Sequence, residues 1–247
     1  AFSEKLVILE HSYTLGEPDP PSLPEIMTYS DIGLPENANF FFTWHTLHRW
    51  LPEHDAIIES LLKNNPEALF VCIAGDSVLD QNILQRWRKK MQPVFSRIKP
   101  LNYQPYGKCL GIMQLADVLL APPNVPGNNS LRTVFSHGFP MVTGTGKYIG
   151  ARLGEFFYHE LGITGVVAHS ANEYIEIAER LLHDRRWREE KAGEILEKRD
   201  ALFATSHAAI KELESFLLAA YERARKCLPP AYWVHGQFVE KGCADEK

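Results

Sequence analysis

Between residues 40 and 168, short apolar runs alternate with stretches of helical period, and this alternation constrains the fold more than any other feature of the chain. The runs are FFFTW at 40–44, LFVCIA at 69–74, a third at 95–98, VLLA at 118–121, PMVT at 140–143 and a last one at 165–168. They are too short for helices and nearly continuous in apolar character, as strands buried on both faces must be. Pro52 opens the first intervening helix, at a position where its missing N–H leaves no partner unmatched, and Ile57, Ile58, Leu61 and Leu62 form its apolar face. Further helical patterns cover 80–92, 105–116, 130–138 and 150–162. Strands separated by helices of this length predict βαβ units: an α/β, Rossmann-like parallel sheet with right-handed crossovers and helices on both faces.

From Ala171 onward the pattern is helical. Tyr174, Ile177, Ala178, Leu181 and Leu182 share one face, and Ile210, Leu213, Leu217, Ala220 and Tyr221 share another. KLVIL at 5–9 reads as an additional strand, onto which the C-terminal helices are expected to pack within 4–13. Residues 16–35 are Pro-rich and read as an extended linker, because Pro fixes φ and lacks a donor. Beyond Pro230 no period is visible, and docking is expected through Tyr232, Trp233 and Phe238. The predicted organisation is an N-terminal segment and Pro-rich linker at 1–35, a parallel α/β domain with its C-terminal helices at 36–226, and a tail at 227–247.

A chain of 247 residues with 45% hydrophobic content can bury a sizeable core. Its net charge of −5 argues against broad nucleic-acid binding, which needs a basic footprint. No apolar stretch is long enough to span a membrane. The opening AFSEKLVILEHSY lacks the basic and apolar regions of a signal peptide, and the missing initiator Met points to a processed product or a fragment. Cys72, Cys109, Cys227 and Cys243 are scattered without a CxxC pair and read as free thiols of a reducing compartment, the cytoplasm.

In open parallel sheets, ligands bind at the carboxyl ends of the strands, near helix N-termini. Three loops occupy such positions: TWHTLHRWLP at 43–52, PLNYQPYGK at 100–108 and PPNVPGNNS at 122–130. In the third, Gly127 permits close backbone approach, and Asn128, Asn129 and Ser130 fall at the cap and first turn of a helix. Free N–H groups and the positive dipole end there suit an anion, phosphate above all. The alternative is that Asn129 or Ser130 is only an N-cap. In the first loop, Arg49 suits a diphosphate, being permanently charged and forked, or else is a solvated surface residue. His45 and His48 offer a metal pair lacking a third ligand, or a base near neutral pH. GTGKYIGARLG at 144–154 has the wrong order for a phosphate-binding P-loop.

Taken together, these loops carry a family resemblance. EKLVILEHSY, DIGLPENANFFF, PYGKCLGIMQLADVLLAPP followed by GNNS, FPMVTGTGKYIGARLGEFFYHELGI and VVAHSANEYIEIAERLLHD, in this order from about Glu4 to Tyr221, resemble the C-terminal half of one glycosyltransferase catalytic region. That family holds the protein O-linked N-acetylglucosaminyltransferases and the bacterial adhesin N-glucosyltransferases. The resemblance implies two Rossmann-like domains in a GT-B arrangement, a UDP-sugar donor, a protein acceptor, inversion at the anomeric carbon and no metal. It also implies that this chain is the second, donor-gripping domain, with the N-terminal glycosyltransferase domain missing. Under it, Arg49 stands where the family keeps a Lys on the diphosphate and becomes the expected catalytic residue. Thr46 stands where the O-linked branch has Gln, and Gly127, Asn128, Asn129 and Ser130 form the donor-gripping turn, closer to the Gly-Asn pair of the adhesin branch. Thr133 replaces an Asp that bonds the ribose, while Tyr106 and Lys108 lie in the loop for base and diphosphate. The competing readings are a degenerate nucleotide-binding domain without transfer and an assembly domain acting through its C-terminal helices. The changes at Arg49 and Thr133 favour the former of these; the Gly-Asn turn favours the enzyme.

Overall fold

The structure, a computed structural model, describes residues 4–11, 23–146, 148–204 and 206–239, without the side chains of 203, 204 and 206. Tyr13, the first part of the Pro-rich segment and Cys243 lie outside the described residues. The chain divides into two compact units, one spanning Pro20–Arg199 and one combining Ala1–Asp19 with Asp200–Lys247.

The larger unit is a six-stranded, wholly parallel sheet: β1 (Phe40–Thr43), β2 (Leu69–Ile73), β3 (Ile98–Leu101), β4 (Val118–Leu120), β5 (Met141–Gly144) and β6 (Val167–Ala168). Their order in space is β3-β2-β1-β4-β5-β6. The chain therefore winds outward from β1 in one direction, returns across the sheet and winds outward from β4 in the other. The crevice where the winding reverses, between β1 and β4, is where such sheets bind ligands. The connecting helices are α1 (Asp55–Asn64), α2 (Val78–Lys90), α3 (Tyr106–Leu115), α4 (Asn128–Ser136) and α5 (Leu153–Glu160), with α6 (Ala171–His183) after β6. Helix α1 packs beside α6, and α4 beside α5. Phe40, Phe41 and Phe42 are fully buried in sequence, as a strand covered on both faces requires.

Polar ties pin the layers. Asp55, buried at the start of α1, takes a forked pair of bonds from Arg86 at 2.9 and 3.1 Å, a third from the Trp87 indole at 2.8 Å, and lies 3.1 Å from Lys90 Nζ. Arg86 also donates to the Trp50 carbonyl at 2.8 Å, so α2 holds the chain leaving β1. The Tyr174 hydroxyl of α6 donates to the Ala121 carbonyl at 2.8 Å, just beyond β4.

Sequence expectations need correction at two places in this unit. Residues 95–97 are not strand but a 3-10 turn, and β3 begins at Ile98. Arg97 explains the turn, donating to the carbonyls of Leu62, Asn65 and Ala68 and so closing the C-terminal end of α1. Pro100 falls inside β3, which is tolerated because β3 is an edge strand. The described part of the Pro-rich segment is packed rather than a free linker. Glu25 donates its N–H to the Gly107 carbonyl at 3.0 Å, and its own carbonyl lies 2.2 Å from where a Cβ at Gly111 would stand. Two glycines four residues apart open a groove along α3, and the chain lies in it. Ile32 and Leu34 follow into the core.

In the smaller unit, helix α7 (Arg185–Ala204) arrives from the larger one and α8 (Ser206–Arg225) follows. The N–H groups of Glu10 and His11 donate to Glu212 at 2.7 and 3.1 Å, so α8 does meet the N-terminal segment as expected. Residues 5–9 form no strand; Val7 makes a single parallel bridge to Trp233. The tail folds into a hairpin, β7 (Tyr232–Val234) and β8 (Gln237–Val239), around His235 and Gly236, both at positive φ. Its docking residues are those expected: Trp233 lies 4.9 Å from Phe238 and 5.5 Å from Phe216. Ile210, Leu217 and Tyr221, read from the sequence as a buried face, are exposed, because α8 turns Phe216 toward the hairpin instead. At the end of α8, Cys227 adopts φ 52°; its N–H bonds the Ala224 carbonyl at 2.9 Å, and the Leu228 N–H bonds the Arg223 carbonyl at 3.1 Å.

Candidate functional site

The loops after β1 and β4 meet at the reversal point. After β1 the chain passes Trp44 and His45, makes a 3-10 turn at Leu47–Arg49, and buries Leu47 and Trp50 beneath it. The Trp50 indole donates to Thr43 Oγ1 at 3.0 Å, which fixes the direction of the turn. Arg49 is thereby aimed at the loop after β4, where its Nη1 donates to the Val125 carbonyl at 3.1 Å. A Cβ placed on Gly127 would stand 2.6 Å from the same Nη1 and 3.5 Å from Ser130 Oγ. Arg49, Gly127 and Ser130 thus converge.

Helix α4 begins two residues earlier than its pattern suggested. Gly127, at φ 73° and ψ 139°, is its N-cap, and no side chain caps it. Asn129 and Ser130 are therefore not N-caps but first-turn residues, which removes the bland alternative for them. Asn128 keeps a buried side-chain oxygen, Oδ1, without a hydrogen-bond partner among the described residues. A positive guanidinium, the positive end of a nine-residue helix and a glycine that lets backbone come close form a cradle for an anion.

His45 is placed otherwise than as a base or ligand. It is buried, and its Nε2 donates to the Pro126 carbonyl. Burial pushes its pKa down to about 3, with Arg49 adding to the effect. The bond fixes the tautomer: Nε2 carries the proton, and Nδ1 is a buried acceptor with no partner among the described residues. His45 supports the Gly127 turn from below. His48 is exposed, with Nε2 3.5 Å from the hydroxyl of half-buried Thr46. Thr46 stands at the start of the turn that carries Arg49. Among the described residues, no three His, Cys, Asp or Glu side chains are grouped to hold a metal.

On another side of the turn, Tyr106 and Lys108 stand exposed on the first turn of α3. The Tyr106 hydroxyl lies 3.2 Å from Thr133 Oγ1, which in turn donates to the Asn129 carbonyl at 3.2 Å. An aromatic face and two hydroxyls therefore border α4 one turn beyond its start. Sequence reasoning did not single out Glu53 and Asn124. Asn124 Nδ2 donates to Glu53 Oε1 at 2.7 Å, joining the loops after β1 and β4. The only available signal was a lone Asn between prolines in a strand-end loop.

The model of glycosyl transferase family 41 matches residues 3–210 of the chain. Among solved structures, a mutant of the Thermobaculum terrenum O-GlcNAc transferase is similar at 21% identity and a TM-score of 0.62, over 85% of this chain and 39% of its own. Sucrose-phosphate synthase from Thermosynechococcus elongatus is similar at 16% identity and 0.56, over 84% and 51%. HepE of Anabaena, solved in complex with UDP and glucose, is similar at 14% identity and 0.54, over 72% and 49%. At these identities the likeness is one of fold. The chain spans between 39% and 51% of the length of these three proteins. Among the described residues, no helix is long and apolar enough to cross a membrane.

Proposed function

The chain belongs to glycosyl transferase family 41, and from that membership we propose that it is the donor-gripping half of an inverting glycosyltransferase that moves a sugar from UDP to a protein side chain. The observation that carries this reading is the convergence of Arg49, Gly127 and the uncapped start of α4 at the reversal point of the sheet. In such a transfer, bond breaking at the anomeric carbon puts charge on the leaving diphosphate. Groups already aimed at that charge lower the barrier without reorganising. Arg49 takes this role together with the helix start at Asn128, Asn129 and Ser130, and Lys108, exposed on the first turn of α3, is assigned to the same diphosphate. Tyr106 and Thr133 take the nucleoside side: the exposed phenol ring offers a stacking face, and the linked hydroxyls replace a carboxylate for the ribose. Thr46 holds the entry of the Arg49 turn.

The acceptor protein and the catalytic base belong, in this proposal, to a second Rossmann-like domain outside this chain, in a cytoplasmic enzyme. Residues 36–226 are the donor-binding domain in this proposal, preceded by residues 1–35 and followed by residues 227–247. A second reading, nucleotide binding without transfer, is favoured by one observation: the Thr133 hydroxyl already donates to a backbone carbonyl, so its pull on a ribose is weaker than a carboxylate's.

Titration calorimetry of this chain with UDP and uridine tests the proposal. With half of the cleft, a dissociation constant of roughly micromolar to millimolar is expected for UDP. A charge-assisted bond contributes about 1.5–3 kcal/mol, so Arg49→Ala weakens UDP roughly tenfold to a hundredfold and leaves uridine nearly unchanged. Equal UDP affinity in parent and variant refutes the assignment of Arg49. Absence of UDP binding refutes the donor reading itself.

A further inference from the structure

Beside the anion cradle lies a polar pair that the diphosphate reading does not use. Glu53 follows the Arg49 turn and is 65% exposed at its side chain. Its Oε1 accepts the Asn124 amide at 2.7 Å. Asn124 is held by the close fit of the loops after β4 and β5. A Cβ on Gly144 would stand 3.0 Å from Pro123 Cβ, and one on Gly146 would stand 3.3 Å from Asn124 Oδ1. Arg152 fixes the second of these loops by donating to the Gly146 carbonyl at 2.9 Å. Three strand-end loops thus station the Asn124 amide three residues before Gly127, with the Glu53 carboxylate bonded to it. That separation is at most about 11 Å along the chain, the range of one monosaccharide from a phosphate.

We infer that Glu53 and Asn124 form the hydroxyl-binding subsite for the transferred hexose, an inference that rests on the donor reading above. The chemistry decides the ligand class. A second phosphate is disfavoured by the Glu53 carboxylate. An apolar group would take Glu53 Oε2 and Asn124 Oδ1 out of water with nothing to bond them. Sugar hydroxyls are donors and acceptors at once, and match the pair. Glu53 Oε2 and Asn124 Oδ1 have no hydrogen-bond partner among the described residues, so two acceptors remain open while the 2.7 Å bond keeps them in place. Preorganisation of this kind reduces the ordering cost of binding. The pair lies on the chain leaving β1 and β4, whereas Tyr106 and Thr133 lie on α3 and α4. The cradle is thereby provided with a hexose end and a nucleoside end.

Calorimetric titration of the parent, Asn124→Ala and Glu53→Gln with UDP, UDP-glucose and UDP-N-acetylglucosamine separates the two readings. The expected result is a parent that binds at least one UDP-hexose about tenfold more tightly than UDP, the effect of one or two hydroxyl bonds. Asn124→Ala abolishes that advantage and Glu53→Gln reduces it several-fold, while UDP itself binds all three proteins within twofold. Retained UDP affinity shows that the variants are folded. A parent that binds no UDP-hexose better than UDP overturns the subsite, as does an advantage that survives in both variants. A parent that fails to bind UDP overturns the donor reading and the subsite with it.

Discussion

Replacing Gly127 by Ala perturbs the cradle in two separable ways. The first is local. At φ 73° and ψ 139°, Gly127 occupies a region that residues with a Cβ rarely enter, and forcing Ala into it costs about 1–3 kcal/mol. The second acts through a neighbour. The new Cβ would stand 2.6 Å from Arg49 Nη1, well inside contact distance. Arg49 is long and half-buried, so its guanidinium swings away and gives up its bond to the Val125 carbonyl. Gly127→Ala is therefore expected to lower the unfolding free energy by about 1–3 kcal/mol and to weaken UDP by at least tenfold. In an Arg49→Ala background the clash is gone but the backbone strain is not. There, Gly127→Ala should cost the same stability yet change UDP affinity less than threefold, a coupling of at least about 0.7 kcal/mol. Urea unfolding and calorimetry on the four proteins of this cycle supply both quantities. Additive losses of affinity would show that Arg49 and Gly127 do not share one ligand, and an unchanged urea midpoint would refute the strain.

Three further outcomes follow from packing. His45 has a folded pKa of about 3 against about 6.5 unfolded, so the unfolded chain binds the proton more readily and stability falls as pH drops through this window. Between pH 6.5 and 5 this amounts to about 2 kcal/mol, and His45→Gln, which keeps a donor for Pro126, should flatten that part of a stability-against-pH curve. Cys227 closes α8 at φ 52° in the bonding pattern usually given to glycine, so Cys227→Gly should raise stability by about 0.5–1 kcal/mol, read as a higher thermal midpoint. Asp55→Ala leaves Arg86, the Trp87 indole and Lys90 without their shared acceptor and should cost about 3–5 kcal/mol in urea unfolding, whereas a loss below 1 kcal/mol would mean that water replaces it.

How far the sequence spoke depended on whether a feature is local. FFFTW, LFVCIA and VLLA announce buried strands because parallel strands covered on both faces must be apolar at every position, and the structure pairs all three. The cradle was legible for a related reason: a strand end, a glycine and a helix start follow one another in sequence, and Arg49 ends the neighbouring loop. The misreadings involve distant partners. No local period reveals that Arg97 closes α1, so Phe95 and its neighbours looked like strand. The groove at Gly107 and Gly111 is visible only once Glu25 lies in it. His45 reads as a titrating residue until its burial and its bond to Pro126 are known. Glu53 and Asn124 are 71 residues apart, and neither is unusual until the sheet order brings their loops together.

The two rims of the sheet bear on how the chain behaves at high concentration. An open sheet ends in unpaired backbone that can recruit a strand from another molecule, which is the first step of many aggregates. One rim here is β3, where Pro100 offers no N–H and Lys99 adds charge; the other is β6, only two residues long. Neither gives an incoming strand a continuous row of donors and acceptors to copy. Colloidal stability is thus written into the poorest-paired strands of the fold, and a substitution such as Pro100→Val would begin to remove it.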